Sequence, residues 1–153
     1  MQSFLKVLLA MHQPKQILEV GTAVGFSVLL MAANTEMCHI TTIEKYEKRI
    51  PVAKENFQKS GMGHRITLLE GDALAIMQEL TGTYDMIFMD AAKGQYIHFL
   101  PDALRLLRTG GILISDNMLQ DGDIIESHYA VERRNRTIYR RMREYLYVLK
   151  HTD

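Results

Sequence analysis

Short apolar runs alternate with segments of helical periodicity along most of the chain. The runs at residues 17–20, 40–43, 66–69, 86–89 and 112–114 each predict a buried strand. Helices are predicted before and between these strands, at residues 4–11, 26–33, 47–60, 73–80 and 95–107. Strands that alternate with helices are typical of repeated βαβ units, so the pattern predicts an α/β fold with a doubly wound, mostly parallel sheet.

Proline, glycine and composition give further expectations about the burial and the ends of three of these helices. The helix at 4–11 is apolar nearly all round, which predicts that it is buried. In the helix at 47–60, Pro51 is tolerable only near the first turn. Gly110 and Gly111 are expected to end the helix that precedes the fifth strand.

The last part of the chain predicts an amphipathic helix, and residues 118–127 before it show no clear periodicity. Its apolar face is formed at spacings of four, three and four by Ile138, Met142, Tyr145 and Leu149. Its opposite face carries Arg133, Arg136, Arg140 and Arg143. Two further arginines, Arg134 and Arg141, lie beside the apolar stripe and are interpreted as structural.

Size and composition indicate one globular domain over residues 1–153. The chain is 47% apolar and 24% charged, so it can bury one sizeable core. Its single cysteine, Cys38, has no partner for an internal disulfide and is expected to be a small buried hydrophobe. No stretch has the length of a membrane span or the layout of a signal peptide. We therefore expect a cytoplasmic protein without membrane contact.

The charge distribution is uneven although the formal net charge is zero. Residues 1–132 hold 11 basic and 16 acidic side chains, whereas residues 133–153 hold 7 and 2. Six arginines lie within residues 133–143, with no acidic residue among them. Such a surface can bind nucleic-acid phosphates with release of counterions. The alternative is an ordinary solvated helix face.

Acidic and amide side chains follow two of the predicted strands. Asp90 and Lys93 come after the fourth strand, and Asp116 with Asn117 comes after the fifth. The carboxyl ends of parallel strands meet at one sheet edge, where ligands bind. Oxygen ligands suit Mg²⁺, Mn²⁺ or Ca²⁺, and the sequence has no Cys/His cluster for zinc. The alternative for Asp116-Asn117 alone is a turn that bonds to its own backbone.

A glycine-rich turn follows the first strand and leads into a helix, whose N-terminus can receive an anionic group. Gly21 and Gly25 occupy it, but Ala23 stands where the dinucleotide fingerprint requires its middle glycine. Glu44 ends the second strand and is placed to bind both hydroxyls of a ribose. The glycine-rich turn and Glu44 alone do not distinguish a nicotinamide cofactor from an adenosyl cofactor. A titration that compares NAD with S-adenosylmethionine would separate the two.

Four motifs between Gln16 and Asn117 resemble the metal-dependent class I O-methyltransferases that use S-adenosylmethionine, the family of catechol and caffeoyl-CoA methyltransferases. They are Glu-x-Gly-Thr-x-x-Gly-x-Ser at 19–27, Gly-Asp-Ala at 71–73, Asp-x-x-Lys at 90–93 and Asp-Asn at 116–117. Within the family, the run Asp-Ala-Ala-Lys-Gly-Gln-Tyr at 90–96 is most similar to the bacterial branch that methylates 5-hydroxyuridine in the tRNA wobble position.

The resemblance implies a Rossmann-like sheet of strand order 3-2-1-4-5 with helices on both faces. It implies S-adenosylmethionine as the cofactor, with its methionine end near Glu19, Gly21 and Ser27, its ribose at Glu44, its adenine beside Asp72 and Ala73, and Asp90 in contact as well. It further implies Mg²⁺, or Mn²⁺ or Ca²⁺, at Asp90, Asp116 and Asn117, with Asp90 and Lys93 as the catalytic pair.

The resulting hypothesis is a methyl transfer to a metal-activated hydroxyl. A bound cation lowers the pKa of a coordinated hydroxyl, and Lys93 would remove its proton. The expected acceptor is 5-hydroxyuridine in tRNA, bound through the arginine face. Alternatives are a small catechol-like phenol as acceptor, a domain that binds cofactor or RNA without turnover, and a nicotinamide-dependent oxidoreductase. Ala23 and the set Asp90, Asp116 and Asn117 disfavour the oxidoreductase.

The ends of the chain differ from the family pattern. Relatives begin with further N-terminal helices and close with an antiparallel strand pair after the last helix, and this chain has neither. We therefore expect a domain truncated at both ends. The fifth strand would be an open edge, which favours pairing with another subunit in a homodimer.

Overall fold

The computed structural model describes residues 2–118 and 136–152, apart from the side chain of Lys93, and shows a parallel sheet between two layers of helices. The strands are β1 (Gln16–Val20), β2 (His39–Glu44), β3 (Ile66–Glu70), β4 (Tyr84–Met89) and β5 (Leu107–Ser115). The helices are α1 (Gln2–His12), α2 (Phe26–Ala33), α3 (Ile50–Lys59), α4 (Ala73–Glu79), α5 (Tyr96–Leu106) and α6 (Arg136–Lys150). Short 3₁₀ turns at Gly63–Arg65 and Lys93–Gln95 precede β3 and α5.

The sheet has the order β3-β2-β1-β4-β5, and every pairing in it is parallel. The predicted Rossmann-like order is therefore confirmed. The order reverses between β1 and β4, and ligands of such sheets bind beside the carboxyl ends of the strands at that switch. The glycine-rich turn after β1 and the acidic segment after β4 thus lie next to each other.

Two apolar cores cover the two faces of the sheet, since adjacent strand residues point to opposite faces. Ile17 belongs to the core under α1, α2 and α3, whereas its neighbour Leu18 belongs to the core under α4, α5 and α6. Both residues are fully buried. The predicted helices on both faces are confirmed.

The prediction that the first helix is buried is wrong. Only Leu5 and Leu9 of α1 are buried, and Phe4, Val7 and Met11 are exposed. A helix on the outside of a sheet covers it with one stripe only, so apolar composition all round did not mean burial all round.

Two helix boundaries also differ from the prediction. Helix α3 begins at Ile50, which places Pro51 in the first turn, where its missing N–H costs nothing. Helix α5 ends at Leu106, so Gly110 and Gly111 do not end it. They lie instead inside β5, at an irregularity where the pairing with β4 shifts between Leu107 and Ile112.

The buried face of α6 is rotated from the predicted one. Met142 and Tyr145 are fully buried as expected, but the third buried residue is Tyr139, and Ile138 is 39% exposed. Leu149 is partly buried against the same core. The buried stripe thus shifts by one residue near the start of α6.

Strands β3 and β5 are the edges of the described sheet. The expected homodimer through β5 stays a prediction. Cys38 is buried as expected, immediately before β2. Among the described residues, no helix is both long and apolar enough to span a lipid bilayer.

Candidate functional site

A cleft of about 590 Å³ lies at the carboxyl ends of β1, β2 and β4. Of the residues predicted to bind the cofactor, five line it: Gly21, Glu44, Asp72, Ala73 and Asp90. Glu19 and Ser27 do not line it. The sheet thus brings together Gly21 and Asp90, which are 69 residues apart in sequence.

The turn after β1 adopts a conformation that needs glycine at two points. Gly21 has φ +105°, and a Cβ there would overlap the backbone carbonyl of Asp90. Gly25 has φ +87°, and a Cβ there would overlap the ring of Phe57. Glycine therefore allows the first turn to pack directly against the end of β4.

Ala23 lies in the same turn with φ +49°, an uncommon conformation for a residue with a side chain. Its backbone N–H donates to Oε2 of Glu44 at 2.7 Å. The middle position of the turn is thus held by a carboxylate of the neighbouring strand.

Glu44 is held at the cleft by two backbone donors. Its Oε2 accepts from Ala23, and its Oε1 accepts from the N–H of Tyr46 at 2.8 Å. The residue is 7% exposed and lines the cleft. Each carboxylate oxygen can accept a second hydrogen bond, so this side chain can bind a pair of ligand hydroxyls.

Glu19 lies behind the cleft wall in a buried polar cluster. Ser27 donates to its Oε1, and Thr42 donates to its Oε2 at 2.5 Å. The Thr42 hydroxyl also contacts that of Thr22 at 2.6 Å. Burial raises the pKa of Glu19 to about 7, although the two hydroxyl donors oppose the shift. Glu19 thus connects β1, β2 and α2 behind the glycine-rich turn.

Asp72 and Ala73 begin α4 at the far end of the cleft. The Asp72 side chain caps the helix by accepting from the N–H of Leu74 at 3.1 Å. Lys45 forms an exposed ion pair with Asp72 at 3.6 Å. Asp72 thus has a structural function in addition to its position in the cleft.

Asp90 and Asp116 lie opposite each other at the ends of β4 and β5. Met89 and Ser115 are register partners, and each acidic residue follows one of them. The Asp116 N–H donates to the Met89 carbonyl at 2.9 Å. Asn117 has φ +56°, and its N–H donates to Oδ1 of Asp116 at 2.6 Å. Asp116 and Asn117 therefore form a turn that bonds to its own backbone, as the alternative interpretation expects. This turn lies next to the end of β4.

The residues predicted to bind a metal ion are Asp90, Asp116 and Asn117. Within residues 2–118 and 136–152, no three side chains of His, Cys, Asp and Glu form a group that could hold a metal ion. The predicted set has two carboxylates and one amide. Lys93 begins the 3₁₀ turn after β4, and its side chain lies outside the described part of the molecule.

Helix α6 packs beside this turn. Arg141 donates from Nη1 to the Gly94 carbonyl at 3.2 Å, so its predicted structural function is confirmed. On the predicted basic face, Arg140 is exposed, while Arg136 and Arg143 are half-buried. Arg133 and Arg134 lie outside the described residues. The basic helix therefore adjoins the segment that contains Lys93.

The sequence pattern did not indicate several polar contacts at the site. Thr42 directly follows Thr41 in β2, so no isolated polar position singled it out. Tyr46 and Arg49 line the cleft, with the Arg49 guanidinium 5.4 Å from the Tyr46 ring centroid. Tyr96 is 1% exposed and hydrogen-bonds at the ends of β4 and β5.

A family model described as O-methyltransferase matches residues 1–148. A catechol O-methyltransferase from Niastella koreensis is 35% identical over 130 residues, which are 82% of this chain and 59% of that protein. Caffeoyl-CoA O-methyltransferase 2 from Populus trichocarpa is 34% identical over 148 residues, which are 90% of this chain and 58% of that protein.

The fold comparison agrees with these matches. The crystal structure of an O-methyltransferase from Bacillus cereus in complex with SAH has a TM-score of 0.88 and 26% identity to this chain. The match covers 99% of this chain and 69% of that one. Compared with the two curated relatives named above, the chain spans less than two thirds of their length.

The raised pKa of Glu19 predicts a pH dependence of stability. Burial moves it from 4.5 to about 7, and the nearby Asp90 and Glu44 carboxylates contribute to the shift. Between these values the folded chain retains a proton that the unfolded chain has released, so the unfolding free energy falls as pH rises. We expect this group to contribute a loss of about 3 kcal/mol between pH 4.5 and 7.

Urea unfolding of the wild type and of Glu19→Gln at several pH values checks this expectation. The glutamine variant should lose that part of the slope, whereas Glu47→Gln, at an exposed position, should keep it. An unchanged slope in Glu19→Gln would show that the carboxyl of Glu19 titrates normally.

Proposed function

The chain belongs to the O-methyltransferase family, and we propose on that basis that it transfers the methyl group of S-adenosylmethionine to a hydroxyl of its acceptor. The observation that carries the proposal is the cleft at the switch point of the sheet. In it Glu44 is held at a position suited to a ribose, directly beside the strand ends with Asp90 and Asp116. The cofactor and the reacting group would then be neighbours.

The lining of the cleft supports an adenosyl cofactor. Glu44 presents a carboxylate for two ribose hydroxyls, as described above. Ala73, Leu74 and Phe99 provide apolar surface for an adenine ring at the other end. The Bacillus cereus structure was solved in complex with SAH, which supports the same type of ligand here. The family match favours this cofactor over NAD.

A divalent cation at Asp90, Asp116 and Asn117 is the second part of the proposal. The register of β4 with β5 places the two acidic residues side by side, and adjacent strands are about 4.8 Å apart. Carboxylate and amide oxygens are the ligands that Mg²⁺ and Mn²⁺ prefer. Such a cation supplies charge that stabilises an ionised acceptor hydroxyl at neutral pH.

The residues of the chain would then position the two reactants. Gly21 and Glu44, which line the cleft, would hold the cofactor, and the turn at 93–95 would contact the acceptor. Lys93 is proposed to take the acceptor proton. Methyl transfer needs the oxygen, the methyl carbon and the sulfur in line, so most of the rate enhancement would come from positioning.

The proposed acceptor is 5-hydroxyuridine in tRNA. The run at 90–96 resembles the branch with that activity, and α6, the helix that carries the predicted basic face, packs beside the same turn through the bond from Arg141 to Gly94. A small catechol-like phenol is the second candidate, because the relatives include a catechol O-methyltransferase. A domain that binds cofactor or RNA without turnover is the non-catalytic alternative.

Metal dependence can be measured with a radiolabelled methyl donor and both acceptors. We expect EDTA to abolish transfer and excess Mg²⁺ to restore it. Asp116→Asn should lower kcat at least about tenfold, because it removes a charged ligand, and should leave the Kd for SAH within about twofold. Asp102→Asn, which neutralises a carboxylate on α5 outside the cleft, should behave as wild type.

Full turnover in EDTA would contradict the requirement for a divalent cation. Binding of SAH without transfer to tRNA or to a catechol would favour the non-catalytic alternative.

RNA contact by α6 is tested by reversing two of its charges. Arg136→Glu/Arg140→Glu should weaken tRNA binding and lower the slope of log K against log salt by about two, one for each lost phosphate contact. Filter binding at four salt concentrations measures both quantities. The matched control is Lys6→Glu/Lys15→Glu, at two exposed lysines near the opposite end of the sheet. Equal affinity and slope in both double variants would contradict an RNA-binding face on α6.

A further inference from the structure

The hydroxyl of Tyr96 lies where the ends of β4 and β5 meet. Its oxygen lies 3.0 Å from the Met89 carbonyl oxygen and 3.3 Å from the Asp116 carbonyl oxygen, so its single proton is shared between two acceptors. Its oxygen also accepts a hydrogen bond from the backbone of Ala91. The hydroxyl thus contacts both chain neighbours of Asp90 and Asp116 itself.

These contacts form a small hydrogen-bond network at the last paired residues of β4 and β5. The Met89 carbonyl already accepts from the Asp116 N–H, so the Tyr96 hydroxyl joins two strands that are paired at this point. Asp90 and Asp116 are the first residues after the two strands. The hydroxyl therefore adds a second link between the ends of β4 and β5, beside the bond from Asp116 to Met89.

The ring of Tyr96 is fixed independently of its hydroxyl. It is 1% exposed and packs edge-on against Tyr145 of α6, with ring centroids 5.8 Å apart. The Tyr145 hydroxyl in turn contacts that of Ser115 at 2.5 Å. Burial raises the pKa of Tyr96 far above its usual value, with Asp90 and Asp116 adding to the shift, so the hydroxyl stays a donor.

We propose that Tyr96 is a positioning residue that sets the relative placement of Asp90 and Asp116 for cation binding. This inference rests on the metal part of the proposed function. Tyr96 is itself no ligand in it. Partners that orient metal ligands typically change metal affinity 10- to 100-fold when removed, so the loss of one hydroxyl is a measurable event.

Tyr96→Phe tests the inference because it keeps the ring and its packing. Amide hydrogen exchange, followed residue by residue by NMR, should be at least about fivefold faster at Ala91 and Asp116, which lose the network. The amides of Leu18 and Thr42, in the middle of the sheet, should keep their wild-type rates. Tyr84→Phe is the matched control, because it removes a tyrosine hydroxyl at the opposite end of β4.

Mn²⁺ titration by electron paramagnetic resonance, in the presence of SAH, gives the second readout. Tyr96→Phe should raise the Kd for Mn²⁺ about tenfold or more and leave the Kd for SAH within about twofold. A hydroxyl with a purely structural function would lower the melting temperature and leave the Kd for Mn²⁺ unchanged.

The inference would be overturned if Tyr96→Phe kept the wild-type amide exchange rates at Ala91 and Asp116. An unchanged Kd for Mn²⁺ in this variant would overturn it as well. A wild-type chain that binds no Mn²⁺ would contradict the metal part of the proposed function, and the exchange rates would then still decide whether Tyr96 holds the strand ends.

Discussion

The close approach of the Gly21 backbone to the carbonyl of Asp90 is the constraint on which the site depends. Any side chain at Gly21 would occupy the space of that carbonyl. The contact brings the turn after β1 against the end of β4, and the Asp90 N–H donates to the Val20 carbonyl at 2.9 Å beside it. The proposed cofactor turn and the proposed metal segment are therefore packed directly against each other.

A layer of buried polar groups supports that unit from behind. Glu19 and Thr42 lie in the centre of an apolar sheet, and each of their side-chain oxygens has a hydrogen-bond partner. No buried side-chain nitrogen or oxygen in the described residues lacks one. An unpaired polar group at such depth would cost about 1–3 kcal/mol, so the cluster stabilises one arrangement of β1, β2 and α2. Glu44, at the edge of the same layer, extends it to the cleft surface.

The sequence predicted the framework of the fold because its signals are local. Apolar runs of three or four residues indicated all five strands, and the turn residues beside them indicated where Gly21 and Asp90 would lie. The burial of α1 and the end of α5 were not predictable in this way. Burial of α1 depends on which stripe faces the sheet, and Gly110 and Gly111 are placed by pairing with β4.

The hydrogen-bond partners at the site were even harder to predict from the sequence. The hydroxyl of Tyr96 contacts Asp116, 20 residues away, and Thr42 contacts Glu19, 23 residues away. Such pairs follow from sheet order and register, which no single segment encodes. Glu44 was identified because its position at a strand end is itself a local signal, but its bond to Ala23 was not.

Nucleoside mass spectrometry tests the central claim most directly. The substrate is tRNA that contains 5-hydroxyuridine, incubated with the chain, S-adenosylmethionine and Mg²⁺, with EDTA in a parallel reaction. The account predicts conversion of 5-hydroxyuridine to its methoxy derivative only when the metal is present. Conversion in EDTA would contradict the metal-activated hydroxyl, and no conversion of tRNA together with methylation of a catechol would contradict tRNA as the acceptor.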